Sequence, residues 1–116
     1  METNKMLELA KETRKKIRGV FGERVDTMAG YDYVEEPNYQ TFKLDFEAYD
    51  YFAIEFDYEN DLCEFFIVLS KEVKLSLTKE QAVYSQISDW DSYLKEIMAE
   101  IELRIPDKFL KAKGWL

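Results

Sequence analysis

Hydrophobic and polar positions alternate most regularly between residues 39 and 77. Phe42, Leu44 and Phe46 interleave with Thr41, Lys43, Asp45 and Glu47, and Phe52, Ile54, Phe56 and Tyr58 with Ala53, Glu55, Asp57 and Glu59. A period of two marks strands with one face in a core and one in water. It predicts strands over 40–47 and 51–58, joined through Ala48-Tyr49-Asp50. A third strand, 62–69, follows a turn at Glu59-Asn60-Asp61. Its two faces, Cys63, Phe65, Ile67 and Leu69 on one and Leu62, Phe66 and Val68 on the other, are both largely apolar. Such a strand belongs in the middle of a sheet or under a second cover. Val73, Leu75 and Leu77 predict a fourth strand, and the short connections favour an antiparallel meander.

Helical periodicity flanks this region. Met6, Ala10, Ile17 and Phe21 fall near one stripe and predict a helix over 3–20, with Thr3 or Asn4 as cap and Gly19 and Gly22 as its end. Lys11, Arg14, Lys15, Lys16 and Arg18 crowd its second half, where cations complement the negative end of the helix dipole. That role is preferred to nucleic-acid contact, because Glu8 and Glu12 dilute the patch. Residues 31–36 read as an acidic loop or a first edge strand, limited by Pro37. Thr78-Lys79-Glu80-Gln81 has capping-box spacing and predicts a short helix through Ala82, Val83 and Tyr84. Ser88 is expected to cap a long helix whose stripe is Trp90, Leu94, Ile97, Met98, Ile101 and Ile105. Pro106 ends or kinks it, 107–113 adds a turn, Gly114 stops that turn, and Trp115-Leu116 forms an anchoring tail.

The expected fold is a single α+β domain over residues 1–116, a two-layer sandwich. An antiparallel meander of about four strands carries an N-terminal helix and a long C-terminal helix on the face of Phe42, Phe52, Ile54 and Phe56. At 116 residues, 47% hydrophobic and 34% charged, the composition is that of a soluble globular protein. The longest apolar run, 65–69, is too short to span a bilayer, and the charged start lacks a secretory core. The lone Cys63 reads as a small core residue. A cytoplasmic location is expected.

Charge changes the picture more than composition does. Residues 1–24 carry seven bases and four acids, and residues 71–116 carry eight of each. Residues 25–70 carry twelve acids and the single base Lys43. The net charge of −8 is therefore concentrated on the sheet. Such a surface repels a phosphate backbone and attracts a basic partner.

Few kinds of catalysis fit the chain. With no His and one Cys, a Cys–His nucleophile, a Ser–His triad and a Cys/His zinc site are excluded. None of the four glycines builds a phosphate-cradling loop. Asp57-x-Glu59-x-Asp61 resembles the start of a calcium loop, but Leu62 and Val68 stand where the loop needs glycine and glutamate. Paired carboxylates can act as acid and base only in unlike environments. Asp45, Glu55 and Asp57 read instead as neighbours on a wet face, with nothing to separate their pKa values. The expectation is a protein that is not an enzyme and uses no cofactor or metal.

A row of acids is costly on a sheet, because like charges across strands destabilise it by a few tenths of a kcal/mol per pair, roughly. Tyrosines beside the acids supply amphipathic contact area of the kind enriched at binding hot spots. Alternate acids stand about 6.5–7 Å apart along a strand, of the order of neighbouring phosphates. The surface expected to bind comprises Tyr31, Asp32, Tyr33, Asp45, Glu47, Asp50, Tyr51, Glu55, Asp57 and Glu59. Its expected partner is a basic protein that acts on nucleic acid, such as a nuclease, blocked in the manner of a toxin-immunity protein or a phage inhibitor of host defence. Neither nucleic acid nor membrane is an expected partner. Reversing Glu55 and Asp57 to Lys is expected to abolish capture with little effect on melting. The alternatives are a self-associating module using Leu62, Phe66 and Val68 or the tail, and a carboxylate-metal enzyme.

Overall fold

The computed structural model describes residues 5–116. The chain is α+β: an N-terminal helix, an antiparallel sheet and two C-terminal helices. Helix α1, Lys5–Phe21, buries Met6, Ala10, Thr13, Ile17 and Phe21. The capping positions expected at Thr3 or Asn4 lie outside the described residues. The backbone N–H of Met6 donates to the Glu35 carboxylate, which satisfies one free donor of the first turn. A 3-10 turn, Gly22–Arg24, follows, with Gly22 at φ +61°, a conformation that favours glycine.

The sheet runs in chain order: β1 Ala29–Glu36, β2 Tyr39–Ala48, β3 Phe52–Glu59, β4 Leu62–Val68 and β5 Lys74–Ser76, every neighbouring pair antiparallel. Residues 31–36 therefore belong to an edge strand. A two-residue strand, β6 (Ala82–Val83), pairs with the first half of β4. This replaces the short helix expected after Thr78. The Thr78 hydroxyl donates to the carbonyl of Glu80 instead of closing a capping box. Pairing with Leu62 and Cys63 occupies the part of β4 that β5, paired with 66–68, does not reach.

Both central hairpins turn on residues with positive φ and no glycine: Tyr49 (61°) with Asp50 (52°), and Asn60 (48°) with Asp61 (69°). Two successive left-handed residues match the twist of the flanking strands. Tyr49 is unusual there, and tertiary contacts hold it. Its side chain is fully buried, its hydroxyl donates to Glu102, and Trp115 packs edge-on against its ring at 5.5 Å.

Helix α2, Trp90–Glu102, is capped by Asp89, whose carboxylate accepts the Ser92 N–H at 3.1 Å, and not by Ser88. It stops before Pro106, and α3, Asp107–Lys113, ends on Gly114 at φ +78°. Leu94, Ile97 and Ile101 of α2 and the buried side of α1 share one core with Phe42, Leu44, Phe46, Ile54, Phe56, Cys63, Phe65 and Ile67. The apolar half of the alternation in β2, β3 and β4 is thus largely buried, whereas Leu69, Val73 and Leu75, expected in the same alternation, are exposed and only Leu77 reaches the core. The other half forms the second face of the sheet. No helix among the described residues is long and apolar enough to cross a membrane.

Candidate partner-binding face

Register builds this face. Antiparallel pairing sets Asp45 opposite Glu55, Lys43 opposite Asp57, and Asp57 opposite Glu64. On β1, Tyr31 pairs with Lys43 and so shares the face, while Val34 pairs with Thr41. Three residues of β1 span two of β2 here, a bulge centred on Asp32 at φ 56°. The extra residue sends the two tyrosines to opposite sides. The Tyr31 hydroxyl reaches Asp45 (3.1 Å) and Glu55 (3.3 Å). Tyr33 instead stacks on the buried ring of Phe42, beside the space left by Gly30.

The other expected residues divide. Asp45, Glu47, Glu55, Asp57 and Glu59 occupy the open face by register, and Asp32 sits in the edge bulge. Asp50 and Tyr51 belong to the hairpin tip beside α3. Lys113 contacts the Asp50 carboxylate at 3.1 Å, and Tyr51 packs against Phe109 at 5.0 Å. Asp61, read as part of a failed calcium loop, accepts hydrogen bonds from the Ser85 N–H (2.9 Å) and hydroxyl (2.6 Å). Its carboxylate secures the turn after β6.

Two cations enter the face, and one was not legible in the strand pattern. Lys43 lies among the acids on β2. Lys74, from β5, reaches back across β4 to Glu55 Oε2 at 2.6 Å and Asp57 Oδ2 at 3.3 Å, passing 4.5 Å from the Phe66 ring centroid. The acids from Asp45 to Glu64, which have no base between them in the chain, thus gain one in space. The same ammonium lies over Phe66, which is half-buried.

The carboxylates are also not equivalent. Glu55 is only 8% exposed. Burial works to raise its pKa, but hydrogen bonds with Asp57 and Lys74 and the lysine charge outweigh that and hold it below the ordinary value. Asp57 is pushed up to about 7, first by burial and then by its hydrogen bond with Glu55 and the Glu55 charge. Asp57 Oδ1 is buried and receives no hydrogen bond, so a negative charge there is poorly stabilised. Partial burial also raises Asp45, although the bond from Tyr31 opposes it. Tyr31 itself is raised, by burial and by the charges of Asp45 and Glu55, and stays a neutral donor. The expectation that nothing separates these acids is overturned: Asp57 is pushed up while Glu55 is held down. Among the described residues, no three His, Cys, Asp or Glu side chains are grouped to hold a metal ion.

Asp26 extends the acidic surface in a way the strand pattern did not signal. Its carboxylate accepts the Glu47 N–H at 3.1 Å, while the adjacent Val25 makes a bridge to Ala48. That pairing brings the segment before β1 against the end of β2. Across β2 to β4 the open face therefore carries Asp45, Glu47, Glu55, Asp57, Glu59 and Glu64, with Lys43 and Lys74 as its cations. Compared with protein-family models, curated proteins and solved structures, the chain matches none, so its function has to be read from the chemistry of this face.

Proposed function

We propose that this protein is a non-enzymatic binding protein whose acidic sheet face occupies a basic surface of another protein. In this reading the helices form one layer and the sheet the other, a two-layer sandwich with one sheet face left open. The observation that carries it is the excess of carboxylates on that face, concentrated at Asp45 and Glu47, which are exposed and make no ion pair among the described residues. Unpaired exposed charge steers association and is available for pairing with Lys or Arg of a partner. A protein that binds nucleic acid presents such a surface, so a nuclease or similar enzyme is the fitting target. Inhibition of the immunity or anti-defence type is the fitting role, exercised in the cytoplasm.

Affinity capture from lysate at low and high salt tests the reading, with Asp45→Lys/Glu47→Lys as control. Retention of a basic nucleic-acid enzyme by the wild type, its loss in the variant and its weakening by salt are expected. Equal retention by both proteins removes the proposal. Glu55 and Asp57 are poor sites for this control, because Lys74 binds both and their reversal disturbs the sheet itself.

Exposed Leu103 (77%) and Leu116 (62%) favour a second reading, self-association through the end of α2 and the tail. Here Trp115 is occupied by Tyr49 and only Leu116 is free. Sedimentation that stays monomeric across concentration ends that reading.

A further inference from the structure

The open face has two unlike ends. Toward the Asn60 hairpin, Lys43 lies opposite Asp57, and Lys74, although its own strand position is level with Val68, sends its ammonium to Glu55 and Asp57. Toward the Tyr49 hairpin, Asp26, Asp45 and Glu47 have no ion pair among the described residues. At this second end Ala53, opposite Glu47 in the register, is exposed and offers only a methyl group where its neighbours carry long side chains. The result is a groove of about 410 Å³ with Ala53 and Val68 on its floor and Asp26, Asp45, Glu47 and Glu55 around it.

That volume lies at the small end of ligand clefts, enough for one long side chain and too little for a helix. An apolar floor with a carboxylate rim matches a side chain that is aliphatic along its stem and cationic at its head. Arginine fits better than lysine, because its planar fork can bond two carboxylates at once. Asp45 and Glu47, two residues apart on one strand, stand about 6.5–7 Å apart and can flank it. A second copy of the same face is a poor occupant, since two-fold pairing would set carboxylates against carboxylates.

We propose that this groove is the anchor of the interface, taking one arginine of the basic partner with its stem on Ala53 and Val68 and its guanidinium between Asp45 and Glu47. The proposal rests on the acidic face being the binding surface and adds where on that face the affinity is concentrated. Interfaces commonly draw most of their energy from a few such buried anchors. Capture then depends on an uncharged residue, Ala53, as strongly as on the acids beside it.

The test measures binding of a labelled nona-arginine peptide at low salt to the wild type, Ala53→Leu and Asp45→Lys/Glu47→Lys, with melting curves for each. Ala53 is exposed, so Ala53→Leu fills the groove without changing charge or core. Titration with butylguanidinium, followed by backbone amide NMR, locates the site. Expected are a loss of at least roughly tenfold in peptide affinity for Ala53→Leu, and butylguanidinium shifts centred on Ala53, Val68, Asp45 and Glu47. If Ala53→Leu binds like the wild type while the charge reversal does not bind, the anchor is wrong and the acidic face stands. Should all three proteins bind alike, both readings fall. Butylguanidinium shifts spread evenly over the carboxylates also overturn the anchor.

Discussion

Lys74 and Glu55 meet at 2.6 Å although β5, which carries the lysine, is separated from β3 by the whole of β4. The lysine ammonium lies 4.5 Å from the ring centre of Phe66, the residue paired with Glu55 on β4, so the apolar ring and the carboxylate share one cation. A short, three-residue edge strand is thereby tied to the centre of the sheet.

Lys74→Met keeps an unbranched apolar side chain and removes the charge. Glu55, nearly buried, is then left without its cation, while solvent screening of the half-exposed lysine limits the effect. The expected loss is about 1–2 kcal/mol in urea unfolding. In Glu55→Gln/Lys74→Met most of that loss should be absent. A full loss in the double variant would show that the pair is not coupled.

Asp57 links stability to pH. Its folded pKa of about 7 lies above the unfolded value near 3.9, so the folded protein binds more protons between them. Its contribution is fully present below about pH 4, is lost as pH rises through 7, and is flat above. Glu55 works oppositely, stabilising above its unfolded pKa and losing that as acid reaches its depressed folded value. Urea unfolding from pH 5 to 8 should therefore show stability falling with pH, and Asp57→Asn should flatten that slope. An unchanged slope would place the titration elsewhere.

Tyr49→Phe removes the hydroxyl that bonds Glu102 while keeping the ring under Trp115. Loss of a hydrogen bond to a carboxylate predicts a cost of about 2 kcal/mol. Tyr49→Asn suits the left-handed backbone but empties the core site, and is expected to cost more. Chemical denaturation of both variants decides. A smaller loss in the Asn variant would mean that backbone strain dominates over packing.

Tyr31→Phe leaves Asp45 and Glu55, directly opposed across β2 and β3, without their shared donor. Their repulsion then acts unrelieved, at an expected cost of about 1 kcal/mol. Carboxyl carbon NMR should show the Asp45 pKa moving further up, because the bond that now opposes its rise is gone. A downward shift would contradict the contact.

Local order along the chain already determined much of this protein. Period-two alternation specified β2, β3 and β4 and which half of each is buried. The stripes ending at Phe21 and beginning at Trp90 specified α1 and α2, and Pro106 and Gly114 the two ends of α3. These features depend on which neighbours share a face, and a strand or helix settles that within a few residues. Acid concentration on the open face followed from the same alternation.

Tertiary structure decided what crosses between strands. A bulge at Asp32 separates Tyr31 from Tyr33, which strict alternation would set on one face, because one extra residue inverts every later side chain. Ala82 and Val83 became a strand because the outer edge of β4 had unpaired backbone there, a demand made by residues twenty positions earlier. Lys74 reaches Glu55 and Asp57 only after two antiparallel turns have folded β4 beside β3 and β5 beside β4. Their pKa values diverge for the same reason: burial in the folded sheet and the charge of Lys74, together with their contact with each other, push Asp57 up and hold Glu55 down.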